Sequence, residues 1–429
     1  DLASGAATGT GGVSGLTSLI GGAGSDTLGG PSADTTWTIW GPNSGSVAGL
    51  DFIGFENLTG AADNEDTFVF EPEGSLTGSI DGGPGGFDSL DVRGWYDQIR
   101  YAPTSPDAGT VTVDGSVITY AGLEPVSLGP GGAVVVDLTT SDDAASLTPV
   151  GANLLVSGAT FEDATIVLPT DSLTINGGEG DDSLSIAGTI ALGAASLIVN
   201  TEEIVVLAGS SIDTTGDVTL NAEKTTSGDS PIPIPELEVV YTADATTSVS
   251  VTGSTINANK IVLSASSTVD ATPAVNDLMI LFTTADSTVS VVDSNLTASG
   301  TLGISATSST IATSAADGIG VPTLGDASVS TLDVDTSAIA TVTGSSILTV
   351  GGAATILASN TINASTDSDA DKAGVAGAGI AITLVDQTTR AAVDAASAIW
   401  SAASLSVVAT SDNTVAGTSK ASPGGAEED

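Results

Sequence analysis

Two glycine-rich segments of the chain each place an aspartate where it could bind a metal ion. Gly21–Gly29 reads GGAGSDTLG and Gly177–Ser185 reads GGEGDDSLS, so Asp26 and Asp182 occupy equivalent positions. Both match the nonapeptide G-G-x-G-x-D-x-U-x, in which U is a large apolar residue and the glycines allow tight turns. Carboxylate and carbonyl oxygens are the hard ligands that calcium prefers. The segments predict calcium at Asp26 and Asp182; the alternative is that they are glycine turns without a metal.

A third segment, Gly82–Leu90, reads GGPGGFDSL and has one extra residue before Asp88. Asp88 is therefore also a predicted calcium ligand, although its turn is altered. An ion bound by such nonapeptides lies between the turns of successive coils, so one segment supplies only half a site. Because the three segments are far apart in the sequence, each needs partners from a neighbouring coil.

A group of aromatic residues near the N-terminus could contact a ligand or a partner. Aromatic rings stack on sugar rings and anchor neighbouring subunits. The alternative is that these rings close the end of a solenoid, whose terminal coil must not expose apolar surface. The predicted contact residues are Trp37, Trp40, Trp95, Tyr96 and Tyr101.

Residues that would support catalysis are scarce. The chain has no His and no Cys, which removes the familiar nucleophile and base arrangements as well as thiolate metal sites. Glycoside hydrolysis by paired carboxylates is still an alternative, because aspartate is abundant. We therefore predict that the protein is not an enzyme.

The second half of the chain is organised as a repeat. Thr247–Ala265 reads TSVSVTGSTINANKIVLSA, in which apolar residues alternate with Ser and Thr on either side of a Gly-Ser break. This alternation is typical of two half-buried strands joined by a turn. Similar units end at Ala222, Ala265, Ala306, Ala358 and Ala409, at steps of 41 to 52 residues. The residues predicted to point inward are Val249, Val251, Ile256, Ile261 and Leu263.

Polar stretches follow the terminal alanines, and we predict that they are loops projecting from one corner of a stack. They are Thr225–Glu236, Ser267–Asp277, Ser308–Gly325 and Asn360–Gly374. Without these stretches, each period contains about two coils of roughly 20 residues. A second marker recurs before the valine pairs, and its acidic residues are predicted to lie in exposed turns: Asp244, Asp286, Asp335 and Asp386.

These patterns predict an all-β fold, a parallel β-helix with a less regular Gly-rich β region at the N-terminus. The expected divisions are a Gly-rich region at 1–130, solenoid coils at 131–210, a repeat array at 211–420 and a linker or cut end at 421–429. The alternative is a string of small β-sandwiches.

Charge and composition restrict the partners. The chain has 429 residues, with 52 acidic and seven basic residues and a net charge of −45. Such a field repels nucleic acid and anionic membranes and attracts cations, so we predict neither nucleic-acid binding nor membrane insertion. No apolar run reaches the roughly 18 residues of a membrane span. The first residue is Asp, which indicates a processed chain or a piece of a larger one.

Three segments resemble giant repetitive bacterial surface proteins. These are adhesin-like exoproteins with haemolysin-type calcium-binding repeats and filamentous-haemagglutinin-like β-helices. The similar segments are Phe55–Val92, Ile118–Val126 and Ser172–Ile186, and the later repeat units are similar to the Ala-, Ser-, Thr- and Val-rich arrays of that family. The resemblance implies a secreted structural or adhesive role with calcium-stiffened segments.

The sequence thus predicts an extracellular, cell-surface β-solenoid that forms part of a fibre or filament. Its expected partners are copies of itself or adjacent repeats, end to end, together with glycans or a host cell surface. The alternative is a β-helix that binds or degrades carbohydrate.

Overall fold

A computed structural model describes residues 2–4, 15–227, 230–231, 240–276, 278–318, 326–371, 376–394 and 400–421. These residues form strands, turns and bends, without a helix. In this described part, therefore, no helix is long and apolar enough to cross a membrane. Most of the predicted linker at 421–429 and parts of the predicted loops lie outside the described residues.

The chain forms two compact units. Unit 1 comprises Asp1–Thr219 and Gly253–Lys260, and unit 2 comprises Leu220–Thr252 and Ile261–Asp429. The predicted division at residue 130 falls inside unit 1.

The strands up to the end of unit 1's first segment are β1 Ser18–Ile20, β2 Thr27–Gly29, β3 Thr36–Gly41, β4 Ser44–Val47, β5 Leu50–Ile53, β6 Asn57–Thr59, β7 Thr67–Phe70, β8 Ser79–Asp81, β9 Ser89–Val92, β10 Tyr96–Ser105, β11 Ala108–Val113, β12 Ser116–Ala121, β13 Val126–Leu128, β14 Gly131–Asp137, β15 Ala144–Val150, β16 Asn153–Ser157, β17 Ala164–Ile166, β18 Ser172–Asn176, β19 Ser183–Ile186, β20 Thr189–Gly193, β21 Ser196–Thr201, β22 Glu203–Val206 and β23 Ser211–Thr214.

The remaining strands, of which β27 belongs to unit 1, are β24 Val218–Ser227, β25 Ser230–Pro231, β26 Val240–Thr252, β27 Thr255–Ala258, β28 Ile261–Ala271, β29 Ala274–Asn276, β30 Leu278–Val292, β31 Asn295–Ala298, β32 Leu302–Asp317, β33 Asp326–Thr343, β34 Ile347–Val350, β35 Ala353–Ala370, β36 Gly377–Asp394, β37 Trp400–Ser401 and β38 Ser404–Ala421.

Unit 1 is a parallel coil with inserted hairpins. Parallel pairing runs through β3, β7, β9, β13 and β17, and a second series runs through β10, β14, β18 and β21. Antiparallel hairpins interrupt the coil at β3–β4–β5, β10–β11–β12 and β15–β16–β17. The less regular N-terminal region predicted from the glycine content is confirmed, because short strands and hairpins replace a uniform repeat there.

Unit 2 is a regular parallel solenoid. One sheet stacks β26, β30, β33 and β36, and the other stacks β28, β32, β35 and β38. Each parallel series joins strands from successive repeats, which is the pairing of a coil and not of separate sandwiches. The terminal alanines at 265, 306, 358 and 409 are direct register partners. The parallel β-solenoid is therefore confirmed, and the alternative of β-sandwiches is wrong.

The predicted number of coils per repeat is wrong. Each repeat of 41 to 52 residues makes one coil with two long strands and a short third strand, such as β31, β34 or β37. Much of the sequence predicted to be loop continues as strand: β28 extends to Ala271, β32 to Asp317 and β35 to Ala370. Serine, threonine and aspartate alternate there with small inward residues, so polar composition alone does not end a strand.

The interior of unit 2 combines apolar residues with paired hydroxyls. All five residues predicted to point inward are buried. Where the inward residues are small, hydroxyl groups pair across the interior, as between Ser328 and Ser368 at 2.7 Å and between Ser314 and Ser330 at 2.8 Å. These bonds satisfy polar groups that would otherwise be costly to bury.

The aspartates predicted to lie in turns are instead part of long strands and face outward. Asp335 is the register partner of Asp386, whereas Asp244 pairs with Thr284. Burial, followed by the nearby carboxylates of Asp286 and Asp386, raises the pKa of Asp335. Of the four, only Asp335 and Asp386 align between adjacent coils, and the position of the marker was predicted wrongly because the strands were expected to be short.

Candidate functional site at the stacked carboxylates

The three predicted calcium aspartates each lie at the start of a strand, Asp88 and Asp182 on one sheet and Asp26 on the other. Asp26, Asp88 and Asp182 each come directly before a short strand, β2, β9 or β19, and two residues before a buried leucine. The strand alternation turns that leucine into the core and leaves the aspartate at the corner, against the neighbouring coil.

Other acidic residues occupy the same position without the nonapeptide glycines. Glu56, Asp66 and Glu202 directly precede β6, β7 and β22, again two residues before a buried apolar side chain. Sequence reasoning missed these three residues. The signal that would have found them is the shorter pattern of an acid, any residue and a large apolar residue at the start of a strand.

Five of these acids make the same contact with a neighbouring coil, Glu56 on the sheet of β2 and β6 and the others on the sheet of β7, β9, β19 and β22. We call them the carboxylate stack: Glu56, Asp66, Asp88, Asp182 and Glu202. Each accepts a backbone N–H from the equivalent residue of an adjacent coil. The N–H groups of Asp26, Thr35, Asp66, Asp143 and Asp182 donate to them at 2.8, 2.9, 2.7, 2.8 and 2.8 Å, respectively.

A second hydrogen bond completes each step of the stack. Ser89, which follows Asp88, donates its N–H to the carbonyl of Asp66 at 2.8 Å, and Ser183 does the same to Asp143 at 2.8 Å. The backbone N–H of each corner residue thus donates to an acidic side chain of the adjacent coil. The backbone carbonyl of the same residue accepts the N–H of the residue that follows that acid. The carboxylate supplies a hydrogen bond that the strand ladder cannot make there.

Glycines in the preceding turn make room for the carboxylates. A Cβ atom on Gly82 would lie 2.8 Å from Asp88 Oδ2, and one on Gly177 would lie 2.5 Å from Asp182 Oδ2. Gly60 stands in the same relation to Asp66, at 2.9 Å, although its segment is not a nonapeptide. The glycines of the pattern therefore have a packing role in this fold that does not depend on a metal.

Burial perturbs the carboxylates of the stack. Asp88 is 3% exposed and Asp182 is 1% exposed, and desolvation raises the pKa of each to about 6. Neighbouring acids add to the increase, notably Asp66 beside Asp88 and Glu202 beside Asp182. The hydrogen bonds from backbone N–H groups act in the opposite direction because they stabilise the charged form.

The fit to calcium differs between the predicted ligands. Asp182 Oδ2 is buried without a hydrogen-bond partner, and the carboxylate of Glu202 on the adjacent coil accepts the N–H of Asp182. Both carboxylate oxygens of Asp143 already accept hydrogen bonds from Thr139 and Thr160. Asp26 accepts the N–H of Gly22 and so already uses an oxygen within its own turn. Within the described ranges, no three acidic side chains converge closely enough to form a metal site. The donor chemistry suits calcium, and calcium binding stays a prediction.

A separate acidic group lies beside two tyrosines. The hydroxyl of Tyr101 donates to the carbonyl of Glu162 at 2.6 Å, and that of Tyr120 lies 3.4 Å from the Tyr101 hydroxyl. Burial, reinforced by Glu124 and Asp163, raises the pKa of Glu162 to about 7. Burial also raises the pKa of Tyr120 to about 12. Sequence reasoning missed Glu162, whose segment has no recognisable motif.

The aromatic residues divide into core and surface. Trp37 is buried and stacks on Phe68 with ring centroids 5.3 Å apart. Tyr96 and Tyr101 are also buried. The predicted surface contact is therefore wrong for these three residues, whose inward positions in β3 and β10 place them in the core. Trp40 and Trp95 are exposed, by 43% and 53%.

The exposed tryptophans lie near a charged surface at the ends of aligned strands. The last paired residues of β3, β7 and β9 are register partners, and the residues directly after them are Trp40, Glu71 and Arg93. Arg93 pairs with Asp91 at 2.7 Å and with Glu71 at 3.7 Å. A groove of about 300 Å³ beside Arg93 is lined by Gly94 and Pro130. This surface, which adjoins Trp95, combines aromatic rings with charged hydrogen-bonding groups.

Comparison of the chain with protein-family models, with curated proteins and with solved structures finds no match. The fold therefore establishes only the structural class of the protein, which is an all-β, parallel β-solenoid repeat protein.

Proposed function

We propose that the protein is an extracellular structural or adhesive β-solenoid that serves as part of a surface fibre. The observation that carries this proposal is the uninterrupted stack of unit 2, in which strands of up to 18 residues pair in register from coil to coil. In a long parallel ladder, many hydrogen bonds share an applied force, which suits a scaffold. The high negative charge and the resemblance to bacterial surface proteins support an external location.

Calcium belongs to this proposal as a stiffening ion in unit 1. The oxygen ligands would come from Asp182 with Glu202, and with less complete coordination from Asp26 and Asp88. An ion there would neutralise carboxylates whose burial disfavours their charge. Its contribution would be structural, since it would join adjacent coils at their corners.

Single-molecule pulling of the full chain tests the scaffold role. If each coil of unit 2 yields as a unit, extension should grow in steps of roughly 140–190 Å, the length of 41 to 52 residues at 3.3–3.6 Å each. Repeated steps of this size support a mechanical array. Extension at low force without discrete steps would contradict it.

Carbohydrate binding is a second candidate function. The observation in its favour is the surface containing Trp40 and Arg93, because sugar-binding sites combine an aromatic platform with charged hydrogen-bonding groups. Glycan-array binding that is lost in Trp40→Ala and Trp95→Ala would support it. Phe87→Ala is the matched control, since Phe87 is 54% exposed in the same unit. Equal binding by all variants would reject the site.

A further inference from the structure

A groove of unit 1 lies on the outer surface of the sheet that contains β9, β13 and β17. Asp91, Ser127 and Thr165 are register partners in these three strands and line the groove. Their neighbours along the strands, such as Leu90 and Val92, are buried. The alternation of each strand therefore turns the three polar side chains outward, at steps of about 4.8 Å from coil to coil.

A glycine keeps the groove open where these strands end. The residues directly after β9, β13 and β17 are Arg93, Gly129 and Val167, which therefore follow one another in adjacent coils. A Cβ atom on Gly129 would lie 2.6 Å from the carbonyl oxygen of Val92, so the position has no room for a side chain. The space between the side chains of Arg93 and Val167, which both line the groove, is left free.

The groove presents both donors and acceptors of hydrogen bonds. Asp91 and Arg93 supply a carboxylate and a guanidinium group, which pair at 2.7 Å and so hold each other in position. Asn153, the first residue of β16, adds an amide. Within the described ranges, the side chains of Ser127, Asn153 and Thr165 make no hydrogen bond to another residue. Their polar groups are therefore available to a ligand.

Size and charge restrict the ligand to a small, uncharged molecule. The volume of about 300 Å³ is at the lower end of the range for small-molecule sites, which suits a single ring. Arg93 is already paired with Asp91 and Glu71, at 2.7 and 3.7 Å, so the local charge is negative and an anion is repelled. The guanidinium group of Arg93 in turn disfavours a cation. A ring with several hydroxyl groups suits this surface, because each hydroxyl both donates and accepts.

An exposed aromatic residue lies next to the groove. Trp95 and Pro130 directly precede the register partners Tyr96 and Gly131, so they are neighbours in adjacent coils. Pro130 lines the groove. Trp95 is 53% exposed, whereas Tyr96 is buried. An exposed indole ring beside a polar groove offers an apolar face on which a sugar ring can stack.

We propose that the groove binds the terminal, uncharged sugar ring of a glycan and that Trp95 stacks on the next ring. The proposal rests on carbohydrate binding, the second candidate function, and specifies the kind of sugar and its position. Asp91 accepts hydrogen bonds from neighbouring hydroxyl groups of the ring, while Asn153 and Arg93 donate to their oxygens. A sugar that carries a carboxylate meets Asp91 and therefore binds more weakly.

Saturation-transfer NMR with the full chain tests the groove. The probes are the methyl glycosides of glucose, galactose and mannose, with methyl glucuronide as the acidic comparison. At least one neutral glycoside should bind with a Kd on the order of 1 mM, and the glucuronide roughly tenfold more weakly. Ser127→Phe, which fills the groove, and Asn153→Ala, which removes a donor, should each weaken binding roughly tenfold. Thr174→Phe is the matched control, because it adds the same ring at an outward position of β18 on the other sheet.

The outcomes separate the groove from the wider function. Trp95→Ala should leave the methyl glycoside bound and weaken a disaccharide that ends in the same sugar. The proposal is overturned if no methyl glycoside binds, if the glucuronide binds as tightly, or if Asn153→Ala and a folded Ser127→Phe bind as the wild type does. Glycan-array binding that still depends on Trp40 and Trp95 would then keep carbohydrate binding without the groove, whereas an array without binding rejects both. Circular dichroism checks that each variant is folded, and Asn153→Ala decides if Ser127→Phe is not.

Discussion

Replacing Asp88 with asparagine tests whether the carboxylate stack works by hydrogen bonding or by charge. In Asp88→Asn the retained Oδ1 can still accept the N–H of Asp66, now 2.7 Å away, while the buried charge is removed. The charge is unfavourable in the folded state because burial and the carboxylates of Asp66, Asp34 and Asp81 raise the pKa of Asp88. The variant should therefore be more stable than the wild type at pH 8.

The size and the pH range follow from the pKa. A folded-state pKa of about 6 against 3.8 corresponds to roughly 3 kcal/mol, and nearby solvent reduces this to about 1–2 kcal/mol. Because the folded state binds the proton more tightly, this stability is complete below pH 3.8 and is lost as the pH rises through about 6. The free energy of unfolding of the wild type should fall over that range, and Asp88→Asn should flatten the fall.

Urea unfolding in the presence of EDTA, followed by tryptophan fluorescence, measures the change in unit 1, which holds the buried Trp37 and two of the other three tryptophans. Glu73→Gln is the control, because Glu73 is an exposed carboxylate in the same region. An Asp88→Asn variant that is less stable than the wild type at pH 8, with an unchanged pH profile, would refute the reasoning. The stack would then require its negative charge.

Three further changes test the packing and the ion. Gly82→Ala should destabilise unit 1 by about 3 kcal/mol, because the new Cβ would lie 2.0 Å from the carbonyl oxygen of Gly122; Gly24→Ala, with open space around it, should have little effect in the same urea assay. Leu332→Ala should cost unit 2 about 3 kcal/mol by circular dichroism in urea, since the side chain is fully buried, and a loss below 1 kcal/mol would contradict the packed interior. Calcium should raise the melting temperature of the wild type in calorimetry but not that of Asp182→Asn, and a wild-type value unmoved by chelator would reject the predicted site.

Much of the fold could be predicted because strand alternation is a local property. The valines of Thr247–Ala265 face inward, and the terminal alanines align, because each inward position must match the one beneath it in a stack. The length of the strands could not be predicted. Ser and Thr in Ser308–Asp317 look like loop residues until the opposite sheet supplies polar partners, as Ser330 of the next strand, β33, does for Ser314.

The candidate site was only partly predictable for a related reason. The glycine-rich segments pointed to Asp88 and Asp182 as calcium ligands, which stays a prediction, whereas the hydrogen bonds that these aspartates accept come from adjacent coils. Asp66 and Glu202 make the same bonds without the glycine pattern, so a motif search passes over them. The alternation of β3 could have placed Trp37 inside, because it shares a face with Ile39 and not with Trp40.

The most direct test of the account is the distance between outward residues three repeats apart in unit 2. Ser266, Thr307, Ser359 and Thr410 are successive register partners in β28, β32, β35 and β38. Spin labels at Ser266→Cys and Thr410→Cys should have backbone positions about 14 Å apart, three steps of about 4.8 Å. Dipolar broadening at this distance is the predicted result. A separation near 29 Å, as two coils per repeat would require, would contradict the stack on which the proposed scaffold depends.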